Sequence, residues 1–185
     1  MTFTAIDFET ANTCDPCEIG ITRVENGEIV FQQSWLIKPA CYPYMNFYHQ
    51  QVHGISSKSL ANAPTFDELW PKTVAYFDDQ TLVAHNAAFD MRVLCAALQH
   101  YDLALPYVDY FCSVTLARKL WPTLPNHKLN TVSSYLGIRF SHHRAGDDAM
   151  ACAHIVLKAL EGHTSIDEGF KSMKLKPKTL SALRK

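Results

Sequence analysis

Hydrophobic positions along this chain recur first with strand spacing and later with helix spacing. Residues 2–8 form a short apolar run that ends in acids, and Glu18 to Val24 and Glu28 to Ile37 read as two further strands. Asn26-Gly27 lies between those two, a strong signal for a tight hairpin turn. Pro39 to Pro64 shows no clear period and is rich in aromatics. Thr65, with Glu68 three positions on, has the form of a capped helix start, and that helix is expected to run to about Phe77. Thr81 to Ala84 and Tyr107 to Cys112 are short apolar strands. Helical spacing marks Phe89 to Tyr101, Ser113 to Leu120 (stopped by Pro122), Leu129 to Leu136 (ended by Gly137) and Ala149 to Leu160 (ended by Gly162).

Three antiparallel strands followed by alternating strands and helices imply an α/β protein. The expected architecture is a mixed five-stranded sheet with helices on both faces. A core domain is expected over residues 1–162, with a basic tail over 163–185. Residues 171–185 hold six Lys or Arg (Lys171, Lys174, Lys176, Lys178, Arg184, Lys185) and no acid, leaving residues 1–170 with 11 Lys+Arg against 18 Asp+Glu. Bulk charge on so acidic a body does not draw in nucleic acid unaided. The tail reads either as a solvated terminus or, through Phe170, Met173 and Leu175 among its lysines, as a short docking segment. The absence of a long apolar run and of a basic-then-apolar N-terminus points to a cytoplasmic protein that does not engage membranes. The six cysteines are scattered, and Cys95 and Cys152 fall within helix patterns, which suits reduced thiols. Cys14-x-x-Cys17 has no second ligand pair at zinc-finger spacing and reads as a loop with incidental thiols.

Several acids stand where apolar residues belong. Asp7 and Glu9, two apart in a strand, project to one face, with Thr4, Ile6 and Phe8 on the other. Asp90 opens the helix after His85-Asn86, and Asp148 opens the last helix after His143. Taken singly, Asp90 and Asp148 are first-turn acids favoured by the helix dipole, and His143 is a surface histidine. Their joint occurrence tells more. Four converging carboxylates repel one another unless cations lie between them.

Asp7-x-Glu9 in a first strand, His85-Asn86-x-x-Phe89-Asp90 in mid-chain, and His143 five positions before Asp148 resemble the DEDDh (DnaQ-like) family of 3′–5′ exonucleases, which includes the epsilon subunit of DNA polymerase III. The resemblance covers roughly residues 2–160 and implies a ribonuclease H-like fold. It further implies that Asp7, Glu9, Asp90 and Asp148 bind two Mg²⁺ or Mn²⁺ ions and that His143 is the general base. The implied activity is release of 5′-nucleoside monophosphates from the 3′ ends of single-stranded nucleic acid, DNA before RNA. Implied alternatives are an exoribonuclease like RNase T or oligoribonuclease, a proofreading subunit or binding module that works with a polymerase partner, and a homodimer. Phe8, Thr10, His53, Ile55 and Asn86 border the terminal nucleotide in this reading, against core packing for Phe8 and loop fixing for Asn86. Lys128 is a further phosphate contact or a solvated lysine, and His142 is incidental.

Overall fold

The hydrophobic alternation of the first strand sorts its residues onto two faces, and the rest of the molecule is built on those faces. In the computed structural model, which describes residues 1–180, β1 spans Phe3–Thr10, β2 Pro16–Glu25 and β3 Glu28–Leu36. They form an antiparallel meander in which Asn26 and Gly27 take the positive φ values (52° and 86°) that the turn between β2 and β3 demands. β4 (Thr81–Ala84) joins β1 in parallel, and β5 (Asp109–Cys112) joins β4 in parallel.

The sheet has six strands rather than the expected five. Lys178–Thr179 adds β6 antiparallel to β5, giving the order β3-β2-β1-β4-β5-β6. Two residues are too few for any periodic signal. What places them is tertiary: Thr179 Oγ1 donates to Asp109 Oδ1 at 2.8 Å, and the Leu180 amide donates to Val108 O at 3.0 Å.

Helices cover both faces. The stretch expected to be irregular contains two short helices, α1 (Phe47–His53) and α2 (Ser57–Leu60), capped by Asn46 and Ser56. α3 (Phe66–Thr73) carries the expected Thr65–Glu68 capping box and passes into a single 3₁₀ turn over Val74–Tyr76. α4 (Ala88–His100) and α3 pack on the face formed by Ile6, Phe8, Ile19 and Ile21. α5 (Ser113–Leu120), α6 (Leu129–Tyr135) and α7 (Ala145–Ala159) lie on the side of Phe3 and Ala5.

The segment after α7 folds back onto the domain. α8 (Ile166–Ser172) buries Ile166 and Phe170 in the same core as Phe3, with the Phe170 and Phe111 rings 4.0 Å apart. Met173 and Leu175 pack against that core as well. Arg184 and Lys185 lie outside the described residues. Among the described residues no helix is long and apolar enough to cross a membrane.

Candidate active site

Odd positions of β1 face α7, so the alternation that buries Phe3 and Ala5 also aims Asp7 and Glu9 at that helix. Their partners across the antiparallel ladder are Gly20 and Glu18. Gly20 has no side chain, and the first turn of α7 settles onto it: a Cβ there would lie 1.9 Å from the Ala145 carbonyl oxygen. That close approach delivers Asp148. Carboxylate oxygens of Asp7, Glu9 and Asp148 lie within 4.8 Å of one another.

Asp90 arrives from the first turn of α4. It is 1% exposed, and its Oδ1 accepts the Phe8 amide at 3.1 Å. The acid of the mid-chain segment is thus tied to the backbone between Asp7 and Glu9.

The electrostatics follow from the crowding. Burial, then the charges of Asp90, Asp148, Glu9 and Glu18, hold the Asp7 carboxyl well above the usual carboxylate range. Burial is the first cause for the others too, pushing Glu9 up to about 8, Asp90 up to about 8 and Asp148 up to about 7. Asp148 Oδ2 accepts the His143 amide at 3.1 Å, while Asp148 Oδ1 is buried with no hydrogen-bond partner. A buried carboxylate oxygen left bare in a group of mutually repelling acids is the donor set that a hard divalent cation completes.

His143 occupies the left-handed region (φ 66°), held there by that amide bond to Asp148. Its Nδ1 stands 3.8 Å from Glu9 Oε1, its side chain is 41% exposed, and burial lowers its pKa, favouring the neutral ring. The His142 ring stacks on it at 3.8 Å and faces the same cleft.

The cleft above the acids measures about 560 Å³. Its acidic floor is Asp7, Glu9 and Asp148, and its walls include Val52, Asn86, Arg118, Asn126, His127 and Lys128. Lys128 therefore faces the site, as one of its two sequence readings has it. Arg118, Asn126 and His127 were not singled out in the sequence, where helix and loop polarity alone marks nothing special. His85 sets one wall: its Nδ1 lies 2.8 Å from the buried Ser113 Oγ and its Nε2 2.9 Å from His127 O.

The five expected nucleotide-bordering residues divide. Asn86 lines the cleft, with φ 74° and a carbonyl that accepts the Phe89 amide, so it also fixes its own loop. Phe8 turns its ring into the core at 2% exposure, leaving only its backbone near the acids, because even positions of β1 face α4. Thr10 is buried, with His49 Nδ1 3.0 Å from its Oγ1 and 3.1 Å from its carbonyl. His53 is buried with both nitrogens engaged: Nε2 donates to Thr10 O at 3.2 Å and Nδ1 accepts the Ile55 amide at 3.0 Å. Ile55 closes a small apolar cluster with Ala11, Cys17 and Leu60. His53 and Ile55 thus brace the end of β1, and both side chains are buried. His49 and His53, one turn apart on α1, make that brace.

Glu18 is a further residue at the site beyond those the sequence motifs mark. It is 6% exposed; its Oε1 accepts Ser34 Oγ at 2.9 Å and its Oε2 accepts the Ala145 amide at 3.2 Å. A signal existed: in β2 it falls out of phase with Cys17, Ile19 and Ile21, two positions before a glycine. None of the six cysteines is in a disulfide.

Residues 4–156 match the RNase_T family model, described as an exonuclease. The DNA polymerase III PolC-type of Thermotoga maritima is 34% identical over 169 residues, covering 86% of this chain and 12% of the polymerase. That of Clostridium perfringens is 38% identical over 143 residues, covering 75% of this chain and 10% of its own length. The chain therefore spans about a tenth of these relatives. Among solved structures, Exonuclease X in complex with 5′ overhanging duplex DNA superposes with a TM-score of 0.75 at 24% identity, covering 92% of this chain and 99% of that one. The nuclease domain of 3′hExo, a DEDDh family member bound to rAMP, superposes at 0.77 with 16% identity, covering 96% of each. The fold is the ribonuclease H-like fold of these nucleases.

Proposed function

Because the chain belongs to the RNase_T exonuclease family, we propose that it is a metal-dependent 3′–5′ exonuclease of the DEDDh type. It releases 5′-nucleoside monophosphates from single-stranded ends, DNA before RNA. The observation that carries this reading is the convergence of Asp7, Glu9 and Asp148 on the floor of an open cleft, with one Asp148 oxygen buried and bare. The preference for DNA draws on the PolC-type DNA polymerase relatives.

Asp7, Glu9, Asp90 and Asp148 would hold divalent ions, Mg²⁺ or Mn²⁺. When bound, such ions polarise the scissile phosphate and lower the pKa of the attacking water. The chain's own groups do the rest. Neutral His143, exposed at the cleft edge beside Glu9, accepts a proton from water at Nδ1 or Nε2. Arg118 and Lys128, which line the same cleft, offer cations to the phosphates of the incoming strand. Asn86 sits at the mouth, where its amide meets the terminal nucleotide. Phe8, Thr10, His53 and Ile55 serve by holding the end of β1 still.

The test is degradation of a 5′-labelled single-stranded DNA and the matching RNA, with Mg²⁺, Mn²⁺ or EDTA, beside Asp7→Ala. A ladder shortening from the 3′ end, abolished by EDTA and by the substitution, is the expected result. Intact substrate with bound metal would sink the proposal. The polymerase relatives favour a second reading, in which the same site edits a growing strand beside a polymerase. Faster removal of a mismatched than a matched 3′ end when a replicative polymerase is added would support it; equal rates would not.

A further inference from the structure

We infer that Glu18 is a positioning residue for the acid cluster: by capping α7 from a neighbouring strand it fixes where Asp148 and His143 stand. The inference rests on the exonuclease reading only for its activity readout; the positioning itself can be measured without turnover.

α7 lacks a cap of its own. The residue preceding it, Arg144, makes no side-chain bond to the first-turn amides, which a helix start otherwise leaves without partners. Glu18 fills that role from 127 positions away in sequence. Its Oε2 accepts the Ala145 amide and its Oε1 accepts Ser34 Oγ from β3, so both oxygens are engaged. A carboxylate at this place also meets the positive end of the helix dipole.

The neighbours make the same joint. Gly20, on the same face as Glu18, admits the Ala145 backbone. Gln32 Nε2 donates to Gly146 O at 3.4 Å, and Ser34 Cβ lies 3.2 Å from where a Gly146 Cβ would be. β2 and β3 thus form a seat for the first turn of α7. Ala145 sits two residues after His143 and three before Asp148, and the Asp148–His143 amide bond ties those two together. A pin at Ala145 therefore holds the base and the acid as one piece.

The placement has a cost, which strengthens the case. Glu18 lies directly opposite Glu9 in the ladder, a like-charge pairing that destabilises a sheet. Its charge adds to the crowding felt by Asp7, Glu9 and Asp148. A residue chosen for strand stability alone would be apolar or neutral here.

The experiment compares wild type, Glu18→Ala and Glu18→Gln at saturating Mg²⁺. Glutamine can still accept from Ala145 and can donate to Ser34. We expect Glu18→Ala to lower kcat at least tenfold with KM for the oligonucleotide changed less than threefold, and Glu18→Gln to stay within threefold of wild type. Wild-type kcat in a folded Glu18→Ala protein overturns the inference, and so does a glutamine variant as impaired as the alanine one. Should Glu18→Ala not fold, Ser34→Ala carries the test: it frees one carboxylate oxygen and is expected to lower kcat two- to fivefold, an unchanged rate being the overturning result. Hydrogen exchange at the Ala145 amide supplies the readout independent of turnover. Faster exchange in Glu18→Ala supports positioning and equal exchange refutes it, whereas an inactive wild type refutes only the exonuclease reading.

Discussion

Replacing Gly20 by alanine tests the joint between β2 and α7 with a single methyl group. The added Cβ would lie 1.9 Å from Ala145 O, 2.1 Å from Ala145 C and 2.4 Å from Gly146 N, whereas ordinary contact begins near 3.4 Å. The clash is with backbone, so no side chain can swing away. The helix start must retreat by about 1.5 Å or β2 must bulge. Overpacking of this kind costs about 1–3 kcal/mol, and the upper end applies where only backbone can yield. For a domain of this size that lowers Tm by about 6–12 °C, at about 2–4 °C per kcal/mol. The larger effect falls on chemistry. The retreating turn carries Asp148, and misplacing a reacting group by about 1 Å can cost about 100-fold in rate. Calorimetry and nuclease rates measured well below Tm separate the two effects. Gly146→Ala is the control: its Cβ would meet Ser34 alone, with Ser34 Cβ nearest at 3.2 Å, and alanine favours the helix by about 1 kcal/mol, so a change under about 1 kcal/mol is expected. A Gly20→Ala protein with unchanged Tm and rate would refute the close-approach argument.

Three further outcomes follow from the site and the core. In EDTA, stability should fall as pH rises: Glu9, Asp90 and Asp148 titrate near 7–8 in the folded chain but near 4 when unfolded, so the fold binds more protons between those values, and its advantage, complete in acid, is lost through pH 7–8. Tm scans at pH 5.5 and 8.5 check the sign, and added Mg²⁺ should restore the pH 8.5 value; a metal-free protein more stable at pH 8.5 would contradict it. Asp7→Asn should abolish nuclease activity yet raise the EDTA Tm at pH 8, because it removes a charge that burial and four neighbouring acids oppose; a lowered Tm would contradict the electrostatic account. Phe170→Ala should cost about 3–5 kcal/mol in urea unfolding, because the ring is buried against Phe111; a cost under 1 kcal/mol would mean α8 does not belong to the core.

Features with a local signal were legible in the sequence. The Asn26-Gly27 turn, the Thr65–Glu68 box and the placement of Asp7 and Glu9 on one face depend only on neighbours a few residues away. Features made by distant partners were not. α7 begins at Ala145, four residues before the expected Ala149, because its cap comes from Glu18 and leaves no mark near residue 145. The two residues of β6 acquire strand form only beside β5. The motif around His53 implies a nucleotide contact, whereas in the structure both ring nitrogens meet backbone, Nε2 that of Thr10 and Nδ1 that of Ile55. Spacing announces that a residue matters; whether it touches substrate or braces the residue that does is decided by partners in space.

Asp90 reaches across the fold to accept the Phe8 amide, and this seam has a consequence for the growing chain. Asp7 and Glu9 leave the ribosome first, Asp90 some eighty residues later, and Asp148 only with the last long helix. Until α7 docks on Gly20, the acids made earlier lack Asp148 and the cleft has no His143. The arrangement is an order of assembly: a chain that stops short of α7 holds Asp7, Glu9 and Asp90 but not the three-acid group that Asp148 completes.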